Sequence, residues 1–297
     1  MSAQKRRLKF LTLDVFTSTP LEGNQLAVFT NAKGLSDADM QLLAREMNLS
    51  ETTFMLRRDS ATERDRGVRV RIFTVDEELP FAGHPTLGTA TVLHDESPGA
   101  QTIYLDLNVG KIPVEFTRRD GLPFGQMTQR DPEFGQRHSR EDVARATGLS
   151  LSDISEDAPI QTVSTGNAFA IVPLASLAAL QNLAPSWAQM HAYLQKTDAK
   201  FFYFVSRQAV EPDAKMQARM IFYRGEDPAT GSAAGPLAAW AVQYGLIAPD
   251  EQVLLLQGVE IKRKSRIYVA GGKEDNKVVN IRVSGHAVEV ARGELLF

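Results

Sequence analysis

Leu8-Lys9-Phe10-Leu11-Thr12-Leu13-Asp14-Val15-Phe16 alternates in part between apolar and polar side chains and is rich in strand formers, which predicts a first strand. A turn-rich passage with Pro20 and Gly23 separates it from a short apolar strand, Leu26-Ala27-Val28-Phe29. Ser36 with Asp39 three places on reads as a helix start, and Met40, Leu43, Ala44 and Met47 share one face. The helix should end near Asn48, and the chain re-enters a strand through Leu49-Ser50-Glu51-Thr52-Thr53-Phe54. Val68 to Val75 alternates again. After Leu79-Pro80-Phe81-Ala82-Gly83-His84-Pro85, the residues Thr86 to Leu93 carry no charge on any side, which predicts a short buried helix. Strands follow at 101–107, 111–117 and 124–129, then a helix with Ser139 as its cap and Gly148 as its stop.

The second half repeats these themes. A Ser164-Thr165-Gly166-Asn167 turn precedes an apolar strand, two short helical pieces occupy roughly 175–195, and Phe201–Val205 and Met216–Tyr223 read as strands. The loop from Arg224 to Gly235 then leads into Leu237-Ala238-Ala239-Trp240-Ala241-Val242, a second almost wholly apolar helix. Pro236 cannot donate to the carbonyl of Ser232, so an interruption is expected at this helix start. Further strands close the chain near 278–284 and 286–291. In both halves an Arg-containing strand precedes an acidic group, a proline, a glycine and a buried helix. Phe73 to Phe222 and Glu78 to Asp227 are each 149 residues, a spacing that suggests internal duplication. Two unrelated strand–loop–helix units in one β-rich chain are the alternative. Under duplication, each half wraps strands around one helix, and the two helix starts can face each other across a cleft.

Composition narrows the chemistry. A chain of 297 residues, 43% hydrophobic and 23% charged, is ordinary globular material for two domains. Its formal charge of -3 supplies no positive field for nucleic acid. The basic start, Met1 to Arg7, leads into a strand pattern without a secretory apolar core, and no run approaches the roughly 18 apolar residues of a membrane span. A cytoplasmic protein without membrane partners is expected. Cysteine is absent, so thiolate nucleophiles, disulfides and thiolate metal sites are excluded. His84, His94, His138, His191 and His286 form no HExxH motif, which argues against a zinc site.

The remaining candidates sit on two loops and one strand start. Gly83-His84-Pro85-Thr86 and Thr230-Gly231-Ser232-Ala233 open helices, where unpaired amides and the helix dipole suit a carboxylate. Simple tight caps would look the same. Neither is a GxGxxG or Walker loop, so no nucleotide cofactor is expected. His84 is a side chain that can switch near neutrality, or a structural one bonded through its ring. Asp227 precedes Pro228, which biases it to extended backbone. Glu51 is either a solvated helix-terminal residue or a base whose partial burial raises its affinity for protons.

Several segments resemble the PhzF family of phenazine biosynthesis. They are Asp14-Val15-Phe16, Gly23-Asn24, Met47 to Phe54, Glu78 to Pro85, Glu226 to Leu237, Leu256 to Ile261 and Ser265-Arg266, in order along nearly the whole chain. The resemblance implies an α+β, diaminopimelate-epimerase-like fold of two similar domains, each a mixed β-barrel wrapped around a central helix. Residues 1–120, completed by 284–297, would form one domain and 121–283 the other, with the active site in the cleft between them and a homodimer as the assembly. It implies isomerisation of trans-2,3-dihydro-3-hydroxyanthranilate or a like small anionic metabolite without metal or organic cofactor. Glu51 would shuttle the proton. His84 and Asp227 would hold or relay protons at the amine and hydroxyl, and Gly83, Gly231 and Ser232 would position polar groups.

Two departures qualify the resemblance. The related epimerases use a cysteine from each domain, and none exists here; a serine hydroxyl such as that of Ser232 is too weak a base to replace a thiolate. Gln25 also stands where the family motif carries a proline after Gly-Asn, which bears on substrate identity. A PhzF-like isomerase or epimerase acting on a different small amino or hydroxy acid, and a non-catalytic binding protein on the same fold, are the alternatives.

Overall fold

The computed structural model describes residues 6–223 and 225–297; the basic start at 1–5, and Arg224 of the second loop, lie outside the described residues. The chain divides into two compact units, one running up to Met127 and including Gly285–Phe297, the other Thr128–Ser284.

In the first unit, β1 (Arg7–Val15), β2 (Asn24–Phe29), α1 (Asp37–Met47) and β3 (Glu51–Leu56) come first. A short helix, α2 (Ser60–Arg66), precedes β4 (Val68–Phe73) and β5 (Glu78–Leu79). Then follow α3 (Gly83–Glu96), β6 (Thr102–Leu107), β7 (Gly110–Arg119) and β8 (Leu122–Thr128). β1 lies antiparallel to both β2 and the C-terminal strand Ala287–Leu296. β2 and β3 are parallel, β3 and β4 antiparallel, β4 and β6 parallel, and β6–β7–β8 continue antiparallel. Against these strands α3 buries every residue from Gly83 to Leu93, as its uncharged sequence predicts. It starts earlier than expected, because Pro85 falls in the first turn, where its missing N–H and fixed φ cost nothing. Gly88 is a point of close packing: a Cβ there would sit 2.6 Å from Leu26 Cδ2 and 2.8 Å from Val15 Cγ2.

The second unit opens with β9 (Glu133–Arg137), α4 (Arg140–Thr147), β10 (Gln161–Ser164) and β11 (Ala168–Leu174). Two short helices, α5 (Leu177–Gln181) and α6 (Trp187–Leu194), lead to β12 (Phe201–Ser206), β13 (Ala214–Phe222) and β14 (Gly225–Asp227). The unit ends with α7 (Gly231–Gln243), β15 (Val253–Gln257), β16 (Ser265–Glu274) and β17 (Lys277–Gly285). Its pairings from β10 onward repeat those of the first unit from β1: antiparallel, parallel, antiparallel, then a parallel step from β13 to β15 and antiparallel to the end.

The hairpins fix the register of this repeat. Ile72 pairs with Leu79 and Phe73 with Glu78; Met220 pairs with Asp227 and Ile221 with Glu226. Glu78 therefore corresponds to Glu226, not Asp227, and the offset is 148 rather than 149, which also carries Gly83 onto Gly231. The sequence spacing was misled by one residue because the strand ends at Phe73 in one half and Phe222 in the other. The two glutamates share a role: each is gripped through both oxygens by an arginine seven residues earlier, Arg71 and Arg219. α7 also departs from expectation, running unbroken through Pro236. Its first turn is tightened instead, with the amides of Ala233 and Ala234 both donating to Thr230 O.

Candidate active site

Glu51 is the first residue of β3, and the turn that delivers it is set by Asn48, whose left-handed backbone (φ 49°) ends α1. Its side chain is 17% exposed and places Oε2 3.4 Å from Nε2 of His84. His84 is the second residue of α3, almost wholly buried, and the side-chain amide of Asn24 at the start of β2 lies 3.3 Å from its Nδ1. Burial lowers the His84 pKa to about 3, with a backbone group of Gln25 opposing. The expected switch near neutrality is thereby corrected: the ring stays uncharged there and stands as a neutral neighbour of the carboxylate.

Asn24 itself depends on the turn before it. Gly23 has φ 71°, and a Cβ at that position would lie 2.5 Å from Val15 O, so only glycine fits. The buried Asp14 braces the same turn by accepting from the Leu21 amide (2.6 Å). Sequence reasoning noted Gly23-Asn24 without a role; the signal was two polar residues, Asn24 and Gln25, opening an otherwise apolar strand. α3 starts at Ala82 without a side-chain cap, which leaves its first turn, Gly83 included, to the helix dipole and to whatever polar group approaches.

In the second unit, Asp227 ends β14 and accepts at Oδ2 from the Thr230 hydroxyl (2.6 Å). Thr230 is the residue before α7, yet its hydroxyl is turned to Asp227 rather than capping the helix. Gly231 and the half-buried Ser232 are the first two residues of that helix. The Gln129 side chain donates to Gly231 O (2.9 Å) and accepts from Thr165 (2.6 Å), tying the sequence-predicted turn at Ser164–Asn167 to the helix start. A Cβ on Gly235 would lie 1.9 Å from Gln129 Oε1. Thr230 and Gln257 fell within segments that sequence reasoning singled out but were given no role, and Gln129 was not singled out, because Gln129 and the buried Gln257 act on residues far along the chain. The structure thus brings Glu51 and His84 together in one unit, and Asp227 together with the start of α7, carrying Gly231 and Ser232, in the other.

Among the described residues, no helix is long and apolar enough to cross a membrane. A model of phenazine biosynthesis-like proteins, PhzC-PhzF, matches residues 13–293. Trans-2,3-dihydro-3-hydroxyanthranilate isomerase of Pseudomonas aeruginosa is 36% identical over 96% of this chain and 98% of its own length. A PhzF-family phenazine biosynthesis protein of Bacillus anthracis superposes with TM-score 0.88 at 26% identity, covering 98% of this chain and 100% of its own. A predicted epimerase from Pseudomonas aeruginosa gives TM-score 0.82 at 37% identity, over 98% and 99% of the two chains. A mixed α+β fold repeated in two halves, a match over almost the full length and structural neighbours of the same kind lead to one assignment: the chain belongs to the PhzF family of phenazine biosynthesis-like proteins, within the diaminopimelate-epimerase-related superfamily.

Proposed function

We propose that this chain is a PhzF-type isomerase that shifts a proton on a small cyclic acid, with Glu51 as the group that takes the proton and returns it. The observation that carries the reading is the Glu51–His84 approach: a partly exposed carboxylate places Oε2 3.4 Å from Nε2 of a buried, uncharged imidazole, whose other nitrogen lies against Asn24. An uncharged imidazole does not neutralise the carboxylate, so the base remains available.

The step balances without an oxidant or reductant. Glu51 removes a proton from a ring C–H, the electron pair spreads into a conjugated system ending at the substrate carboxylate, and a new C–H bond forms elsewhere on the same system. Delocalisation lowers the cost of the anion, and fixed donors stabilise it where charge develops. The amides of Gly83 and Gly231 and the Ser232 hydroxyl are assigned to the polar groups of the substrate, and Asp227 to its amine or hydroxyl. One carboxylate serves both transfers if the substrate stays in place, so the proton leaves and returns on the same face. Two-thiol inversion is excluded by the absence of cysteine.

Trans-2,3-dihydro-3-hydroxyanthranilate, named for the 36% identical relative, is the first substrate to try. Gln25 lies directly after Asn24, so a different small amino or hydroxy acid is the broader reading that we favour. The protein is incubated in deuterated water with that compound and with a panel of cyclic amino and hydroxy acids, and NMR follows double-bond shift and deuterium uptake. Turnover of at least one acid, abolished in a folded Glu51→Gln variant, is expected. Undiminished turnover in Glu51→Gln would remove Glu51 as the carrier; no exchange into any acid would remove the isomerase reading. A homodimer belongs to the same reading, and light scattering that gives a single-chain mass would withdraw it.

A further inference from the structure

Four polar side chains in the second unit form a chain of hydrogen bonds with only one possible direction. Tyr203 on β12 and Gln257 at the end of β15 are completely buried, and Thr230 nearly so. The Tyr203 hydroxyl donates to Gln257 Oε1 (2.7 Å), which also accepts from the Thr230 amide (3.1 Å). The two protons on Gln257 Nε2 go to Thr230 Oγ1 (2.9 Å) and to Asp227 O (2.8 Å). The carboxamide is then saturated, with both donors and both acceptor sites in use. The Thr230 oxygen already accepts from Gln257, so its own proton is left for Asp227 Oδ2, at 2.6 Å. Burial and the nearby Asp227 charge both raise the Tyr203 pKa, so the phenol keeps the proton that starts the chain.

The duplication shows that the fold does not need this network. Register places Tyr203, Asp227, Thr230 and Gln257 opposite Thr53, Leu79, Ala82 and Leu107 in the first unit. There, the same hairpin, loop and helix start are built with three apolar residues in place of the last three members. A buried polar chain that must be fully satisfied to be harmless is costly to keep when apolar side chains suffice. It has been kept where a carboxylate stands and not where leucine stands.

We infer that Tyr203, Gln257 and Thr230 are positioning residues for Asp227: together they fix its rotamer and present the carboxylate to the substrate as a hydrogen-bond acceptor. This rests on the proposed role of Asp227 and sharpens it, since a carboxylate held in this way binds an amine or hydroxyl proton of the substrate rather than delivering one. Specificity for an acid that carries such a donor follows.

Two measurements test the inference, one of which needs no substrate. In the wild type, the side-chain amide protons of Gln257, assigned by their loss in Gln257→Leu, should exchange slowly with solvent. Thr230→Ala should speed that exchange, and Thr230→Ser should restore it; equal exchange in wild type and Thr230→Ala would overturn the network whether or not any acid is turned over. With an acid that the wild type does turn over, Thr230→Ala should lower kcat/KM by about 10- to 100-fold, the size of one hydrogen bond to a charged group. The loss should fall on the same one of kcat or KM that Asp227→Asn affects, and Thr230→Ser should recover most of it. The double variant Asp227→Asn/Thr230→Ala should be no worse than Asp227→Asn alone. Multiplicative losses in the double variant, or full activity in Thr230→Ala, would show that these residues act independently of Asp227. The double variant Tyr203→Phe/Gln257→Leu, which leaves no orphaned hydroxyl, repeats the comparison if Gln257→Leu alone does not fold.

Discussion

A histidine in water gains its proton near pH 6.5, and in an unfolded chain His84 does the same. Inside the first unit its pKa falls to about 3 through burial, so between these values the unfolded chain binds a proton that the folded protein refuses. The sign follows directly: stability from this group is intact above pH 6.5 and declines as pH falls toward 3, by about 1.4 kcal/mol for each unit in between. His84→Gln, which keeps an amide able to reach Asn24, should remove that part of the slope. Urea unfolding at pH 7.5 and 4.5 measures it: the wild type should lose more stability between the two than His84→Gln. His138, whose pKa is also lowered by burial, leaves a residual slope in the variant. Identical slopes in the two proteins would mean that His84 is solvated, and the reading of its ring as a neutral partner of Glu51 would go with it.

Elements show how tightly the site residues depend on packing around α3. Gly88 lies where that helix meets β1 and β2, and both Leu26 and Val15, which a methyl group would strike, are fully buried. Neither has room to turn aside, so Gly88→Ala should cost about 1–3 kcal/mol by overpacking, although alanine is the better helix former. Thermal unfolding checks it; an unchanged or raised midpoint would show that α3 can shift away from the strands. At this scale much was legible in the sequence. The Ser36 and Ser139 caps, the left-handed stops at Asn48 and Gly148, and the buried character of α7 and of α3 up to Leu93 all follow from local chemistry. What was not legible is equally physical. α2 buries none of its residues and so carries no apolar stripe to read. Proline at the sixth position of α7 is tolerated because the strands around it, not the Ser232 carbonyl bond, hold that helix. Glu51 stood out as a lone carboxylate and Asp227 as one placed before a proline, whereas Asn24 and Gln257 looked like ordinary polar residues until the fold brought them to the site.

Across the whole molecule, duplication supplies an internal control, since one device appears in both halves under different degrees of burial. Arg71 grips Glu78 with side chains 16% and 25% exposed, and its third contact is the exposed Asp37. Arg219 grips Glu226 with side chains 10% and 7% exposed and also donates to the carbonyls of Leu180 (2.9 Å) and Leu183 (2.9 Å) at the end of α5. Solvent can replace much of what Arg71 provides; nothing replaces Arg219, whose loss strands a buried carboxylate and two helix-end carbonyls together. Arg219→Leu should therefore cost about 3–5 kcal/mol, while Arg71→Leu, in a pair closer to solvent, should cost about 1 kcal/mol. Hydrogen exchange adds location to the magnitude. Loss of protection in Arg219→Leu should concentrate in residues 128–284, first at α5 and β14, and loss in Arg71→Leu should stay within the first unit. Equal costs for the two variants would mean that the buried pair is no more than a surface ion pair. The difference in burial would then not be what separates the halves. Because Glu226 is the neighbour of Asp227 on a three-residue strand, Arg219→Leu should also weaken turnover at temperatures where the protein is still folded. The Arg71 variant has no such link, because Leu79 rather than a carboxylate follows Glu78.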